Sequence, residues 1–188
     1  MPIDVQPYNQ IWPAHFAHIA ATVRPAIAHI PNASIEHVGS TSVAGLAAKP
    51  IIDIDIIVDP DQIPTAIDAL ATIGYIHRGN PGVPGREAFY PPYDTPKHHL
   101  YLCERDCLSL RNHLAVRDIL RQHPDLRDRY AAVKLALAAD PTMDIDTYVD
   151  GKCAILQQIL LLSHTITPDE RASILGVNTA PFPPRSPS

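Results

Sequence analysis

Apolar and polar positions alternate in one short run more clearly than anywhere else in the chain. From Ile51 to Val58 the sequence reads Ile-Ile-Asp-Ile-Asp-Ile-Ile-Val, almost all β-branched, and it predicts a strand. Side chains alternate faces along a strand. Ile52, Ile54, Ile56 and Val58 therefore face a core, while Asp53 and Asp55 share the other face, flanked by Ile51 and Ile57. Around this run the pattern predicts further elements. A helical stripe of Ile11, Phe16, Ile19, Val23 and Ile27 predicts a helix over Asn9 to Ile30, with Pro25 expected to kink or split it. Ile35 to Val38 reads as a strand ending at Gly39-Ser40. Gln62 to Ile73 reads as a helix stopped by Gly74. Tyr75 to Arg78, Arg86 to Tyr90 and His98 to Glu104 read as strands, separated by the loops Asn80–Gly85 and Pro91–Lys97. Beyond them the chain turns helical: Ser109 or Asn112 to Gln122, Leu126 to Ala139, and Ile145 to Leu162, the last weakened at Gly151. Asn178 to Ser188 is rich in Pro and Ser and is expected to be a mobile tail, which leaves one domain over residues 1–177.

Two carboxylates on one face of an apolar strand repel each other and resist burial. A divalent cation relieves both costs, and hard oxygen donors suit Mg²⁺ or Mn²⁺. The alternatives are a solvated strand edge or pairing with Arg or Lys. On the strand from His98, alternation puts His99 with Tyr101 and Cys103 on one face and His98 with Leu100 and Leu102 on the other. Either His98 or His99 could face the two Asp residues, since alternation alone does not choose; His99 is favoured because His98 would share its face with two leucines. It is positioned to ligate a metal, donate to a phosphate or accept a proton.

Composition narrows the function classes. The 188 residues carry a net charge of −5 without a basic block, so dedicated nucleic-acid binding is not expected. Three cysteines at scattered spacing and no apolar run of membrane length fit a soluble protein of the reducing cytosol. Gly39 to Gly45 is not a P-loop, because no Gly-Lys-Ser/Thr follows.

The strand ending in Gly39-Ser40, the connector, and the Asp53-x-Asp55 strand resemble the signature of the nucleotidyltransferase fold, the DNA polymerase β-like superfamily. The segment from Glu36 to Asp53, with His98-His-Leu-Tyr-Leu, Val116-Arg-Asp-Ile-Leu-Arg-Gln-His-Pro-Asp-Leu and Tyr130-Ala-Ala-Val-Lys, is similar to the GrpB family. That family usually has Pro where this chain has Ala44. The resemblance runs from about Pro7 to Leu162 and implies an α/β nucleotidyltransferase fold: a small mixed sheet, packed helices and a helical C-terminal half. It implies an NTP substrate, an unknown hydroxyl acceptor and Mg²⁺ (or Mn²⁺) on Asp53 and Asp55. The turn Gly39, Ser40 and Thr41 would cradle phosphates, a use that suits glycine and a nest of backbone amides. Lys49, Arg86 and Lys134, with Lys152 as a further candidate, would neutralise phosphate charge. Superfamily enzymes usually carry a third carboxylate near the position of His99. Its absence makes a nucleotide- or CoA-precursor-binding module without turnover the alternative to a nucleotidyltransferase.

Overall fold

The computed structural model describes residues 3–80 and 82–179. Five strands form one mixed sheet: β1 (Ser34–Val38), β2 (Ile52–Val58), β3 (Ile76–Gly79), β4 (Arg86–Tyr90) and β5 (His98–Glu104), in the order β1-β2-β5-β4-β3. β2 and β5 run parallel, and every other neighbouring pair is antiparallel. A parallel pair needs a long crossover, here supplied by the helix α2 (Ile63–Ala71) with β3 and β4.

The alternation of β2 decides what covers each face. Ile52, Ile54, Ile56 and Val58 join Phe89, Leu100 and Leu102 and pack against Ile19, Val23 and Ile27 of α1 (Ile11–Ile27) and Leu70 of α2. Burying each of the large aliphatic side chains contributes about 1.5–3 kcal/mol. α1 is shorter than expected. Ile11 stays 47% exposed and Trp12 takes the buried place. Pro25 lies in the last turn, where it does not split the helix.

The opposite face of the sheet meets the helical half of the chain, α3 (Leu108–Gln122), α4 (Pro124–Ala138), α5 (Ile145–Gly151) and α6 (Cys153–Leu160). Leu46, Leu120, Tyr130 and Ile159 centre a second core there. The helix expected over Ile145 to Leu162 is two helices. A Cβ on Gly151 would stand 2.7 Å from the Leu137 side chain of α4, so a larger residue there would have to displace that leucine, and the chain turns at Lys152. α7 (Pro168–Thr179) follows, with no counterpart in the sequence pattern above. It includes Asn178 and Thr179, and the rest of the expected tail lies outside the described residues.

Candidate active site

Asp53 and Asp55 project from β2 to the face opposite the aliphatic core, level with His99 and Tyr101 of β5. Their surroundings differ. Asp53 is partly open, 31% exposed along its side chain, and accepts a hydrogen bond from His99 Nδ1 at 2.9 Å. Asp55 is 0% exposed and accepts from His113 Nδ1 of α3 at 2.7 Å. Burial lowers the affinity of the His113 imidazole for its proton, but the charge and hydrogen bond of Asp55 outweigh that, and the net direction is up. The second Asp55 oxygen, Oδ1, is buried with no hydrogen-bond partner among the described residues. A buried acceptor left unpaired costs about 1–3 kcal/mol.

The Gly39-Ser40 turn is fitted to this strand. Gly39 has φ +67, a left-handed conformation that glycine adopts without strain. A Cβ there would run into the Asp53 carboxylate, so glycine is required by close approach as well as by backbone conformation. Arginines of the helical half anchor the connector that follows. Arg121 donates to the Ser42 carbonyl at 2.9 Å and Arg127 to the Ala44 carbonyl at 3.3 Å. Thr41 is 1% exposed, and its hydroxyl is shared between His37 Nε2 at 3.1 Å and the Ile51 carbonyl at 3.4 Å. Burial pushes His37 down to about 4, so its imidazole is neutral at physiological pH.

Beside Asp53 opens a cleft of about 180 Å³, lined among others by Ser40, Lys49, Asp53, His99, Lys134 and Lys152. Lys134 is 2% exposed. Its Nζ donates to Ser40 Oγ at 2.8 Å and lies over the Tyr130 ring. Lys49 and Lys152 both lie over the ring of Tyr148. Among the described residues none of the three ammonium groups reaches a carboxylate within ion-pair distance, although the charge of Asp53 acts on all three from further away. Burial, reinforced by Lys152, pushes Lys134 down to about 7, and burial with the charge of Lys49 pushes Lys152 down to about 8. Lys49 moves in the same direction, again chiefly through burial.

The fold thus gathers Ser40, Thr41, Lys49, Asp53, His99 and Lys134 around one cleft, with Gly39 against Asp53 and Asp55 beneath. Arg86, expected on a phosphate, does not line that cleft. Its guanidinium lies 4.5 Å from the centroid of Tyr101 and donates to Ser109 Oγ at 3.2 Å. Arg117 is likewise used inside the fold, tying α3 to Glu36 at 2.6 Å and to the His37 carbonyl at 3.1 Å. His113 was not apparent in the sequence: nothing local marks one of ten histidines as the partner of a residue 58 positions away. Tyr148, which carries two of the lysines, reads only as a helix residue in the sequence, and Tyr130 stands out there only through the family resemblance.

Among the described residues no cluster of three or more His, Cys, Asp or Glu is set to hold a metal. Mg²⁺ commonly takes one or two carboxylates and completes its shell with water and substrate phosphates. The orphaned Oδ1 of Asp55 and the open carboxylate of Asp53 fit that kind of site.

Residues 2–161 match the GrpB protein family. The UPF0157 protein of Pseudomonas aeruginosa is 39% identical over 165 residues, covering 84% of this chain and 66% of that protein. UPF0157 protein YqkA of Bacillus subtilis is 37% identical over 120 residues, 63% of this chain and 35% of that protein. The chain therefore spans less than two thirds of these two relatives. The crystal structure of conserved protein GrpB from Enterococcus faecalis superposes with a TM-score of 0.72 at 30% identity, covering 84% of this chain and 98% of that one. The Cid1 poly(U) polymerase, solved with MgGTP bound, superposes with a TM-score of 0.59 at 16% identity over 87% of this chain and 54% of its own. At that identity the likeness is one of fold alone, the nucleotidyltransferase fold. No helix among the described residues is long and apolar enough to cross a membrane.

Proposed function

The chain belongs to the GrpB family, and from its site we propose that it is a metal-dependent nucleotidyltransferase, moving a nucleotidyl group from an NTP to a hydroxyl. The observation that carries this reading is the trio of ammonium groups around a cleft bordered by Asp53, Lys134 buried and Lys49 and Lys152 half-buried, none with a carboxylate within ion-pair distance among the described residues. Desolvated cations are costly unless an anion meets them. At about 180 Å³ the cleft is smaller than the ~300–1,000 Å³ of pockets for drug-sized ligands, which suits the polyphosphate and leaves the nucleoside outside.

In this reading Ser40 and the lysines hold the β- and γ-phosphates. Asp53 and Asp55 would hold Mg²⁺, which when bound would neutralise charge developing on the transferred phosphoryl oxygens. The acceptor oxygen forms a bond to the α-phosphorus as the bond to the β-phosphate oxygen breaks, and pyrophosphate leaves into the lysine cleft. His99, oriented by the Asp53 carboxylate on Nδ1, takes the hydroxyl proton on Nε2. Catalysis is then mostly positioning and electrostatics.

A second reading, nucleotide binding without turnover, draws on one observation: His99, not a carboxylate, stands level with Asp53. Label position separates the two. With Mg²⁺ and a pool of small hydroxyl compounds, label in the α-phosphate should pass to a new species and label in the γ-phosphate should emerge as pyrophosphate. Transfer of the γ-phosphate alone would contradict nucleotidyl transfer. Binding with no transfer to any compound would favour the second reading.

A further inference from the structure

The sheet face that carries Asp53 continues beyond His99. Counting on from the Phe89–Leu100 pair, Tyr90 comes level with His99, and Ile76 pairs with Tyr90. Asp53, His99, Tyr90 and Ile76 thus form one row across β2, β5, β4 and β3. The row is open: His99 is 50% exposed along its side chain, Tyr90 53% and Ile76 64%. The Arg78 guanidinium lies over one face of the Tyr90 ring, 4.5 Å from its centroid, so a flat ring would meet the outer plane of that guanidinium or the other face of the exposed tyrosine, while Tyr93 stands exposed on the loop that follows β4. Among the described residues neither Arg78 nor Lys97, at the end of that loop, meets a carboxylate within ion-pair distance.

We infer that this exposed face of β3, β4 and β5 is the acceptor site, and that it takes a small hydroxyl-bearing molecule with a flat ring and an anionic group, of mononucleotide size. The inference rests on the proposed transfer. In an in-line displacement the attacking hydroxyl stands opposite the leaving group. The lysine cleft claims the pyrophosphate on one side of Asp53, with Ser40, Tyr130, Tyr148 and the lysines. The acceptor therefore approaches along the sheet, over the row that starts at His99 on the rim of the cleft and leads away from it through Tyr90 to Ile76. Flat rings stack on tyrosine and on guanidinium planes, and Arg78 adds a charge complementary to an anion next to the stacking surface. Inside the cleft no such platform is open, because Tyr130 and Tyr148 are buried and carry lysines on their rings.

The test uses the full chain with its lysine cleft saturated by inorganic tripolyphosphate, whose own binding is measured first. Adenosine monophosphate and adenosine are then titrated by calorimetry on the parent, Tyr90→Ala and Arg78→Ala. The monophosphate should bind the tripolyphosphate-loaded parent. Tyr90→Ala should weaken it roughly five- to a hundredfold, the range for one lost aromatic stacking contact. Arg78→Ala should narrow the preference for the monophosphate over adenosine. Tripolyphosphate binding should be unchanged in both variants. Absence of monophosphate binding to the loaded parent, or binding that Tyr90→Ala leaves intact, would overturn the acceptor site while leaving the polyphosphate cleft standing. Failure of tripolyphosphate to bind the folded parent would overturn the proposed function instead, and with it the in-line argument for this face.

Discussion

Replacing Lys134 by methionine separates a lysine kept for a ligand from one kept for the fold. Lys134 is 2% exposed, and burial pushes it from the ordinary 10.5 down to about 7. A lysine depressed in the folded state costs stability as pH falls toward the folded value. The penalty is complete below about 7 and gone above about 10.5. At neutral pH it amounts to about 4 kcal/mol. Methionine keeps the length and apolar character of the stem but leaves Ser40 Oγ without its donor at 2.8 Å, a loss of about 1 kcal/mol. The variant should therefore be more stable than the parent by about 2–3 kcal/mol at neutral pH, a rise in Tm of about 5–10 °C for a chain of this size. Near pH 9 the penalty on the parent falls to about 2 kcal/mol, so the advantage should shrink to about 1 kcal/mol. Urea denaturation of both chains at the two pH values measures this, and tripolyphosphate should stabilise the parent more than the variant. A less stable variant at neutral pH, or an advantage that does not shrink at higher pH, would refute the idea that a desolvated ammonium is held there at a cost.

Three further outcomes follow from the same geometry. Binding of tripolyphosphate near pH 8 should take up protons, because the anion restores charge to Lys134 and Lys152, which burial holds near about 7 and 8; calorimetry in buffers of different ionisation enthalpy measures the uptake, and proton release would contradict it. Gly39→Ala sets a Cβ into the Asp53 carboxylate at φ +67, so a loss of about 1–3 kcal/mol in thermal stability is expected, together with impaired nucleotide binding. His113→Ala strands the buried Asp55 carboxylate, and urea denaturation should show a loss of about 3–5 kcal/mol; a loss well under about 1 kcal/mol would mean that Asp55 is not sealed.

The sheet was legible because its face assignment depends on period alone. Asp53 and Asp55 could only share a face, and the bounds read for the strands at Arg86–Tyr90 and His98–Glu104 are those of β4 and β5. Alternation alone does not choose between His98 and His99; the two leucines on the face of His98 favour His99, and His98 is turned inward, 2.8 Å from the Tyr75 hydroxyl. α7 had a local signal that periodicity did not report. Thr167-Pro-Asp-Glu170 is a capping box with proline in the first turn: Glu170 N donates to Thr167 Oγ1 at 3.3 Å and Thr167 N to Glu170 Oε2 at 2.9 Å. The split at Gly151 was half legible, because the weak helix former was visible but the Leu137 side chain it must admit was not. The His113–Asp55 pair and the stacking of Lys49 on Tyr148 lie beyond any local pattern, since each joins segments that meet only through tertiary packing, whereas Lys134 on Tyr130 and Lys152 on Tyr148 are pairs four residues apart that helical spacing already brings together.

The proposed function requires the Asp53 cleft to bind nucleoside triphosphate through its lysines and with the help of a divalent cation. Calorimetric titration with the four common NTPs, with and without Mg²⁺, on the parent and on Asp53→Asn tests it most directly. Binding to the parent should strengthen with Mg²⁺, and the folded variant should lose that metal dependence. A folded parent that binds no NTP under either condition would contradict it.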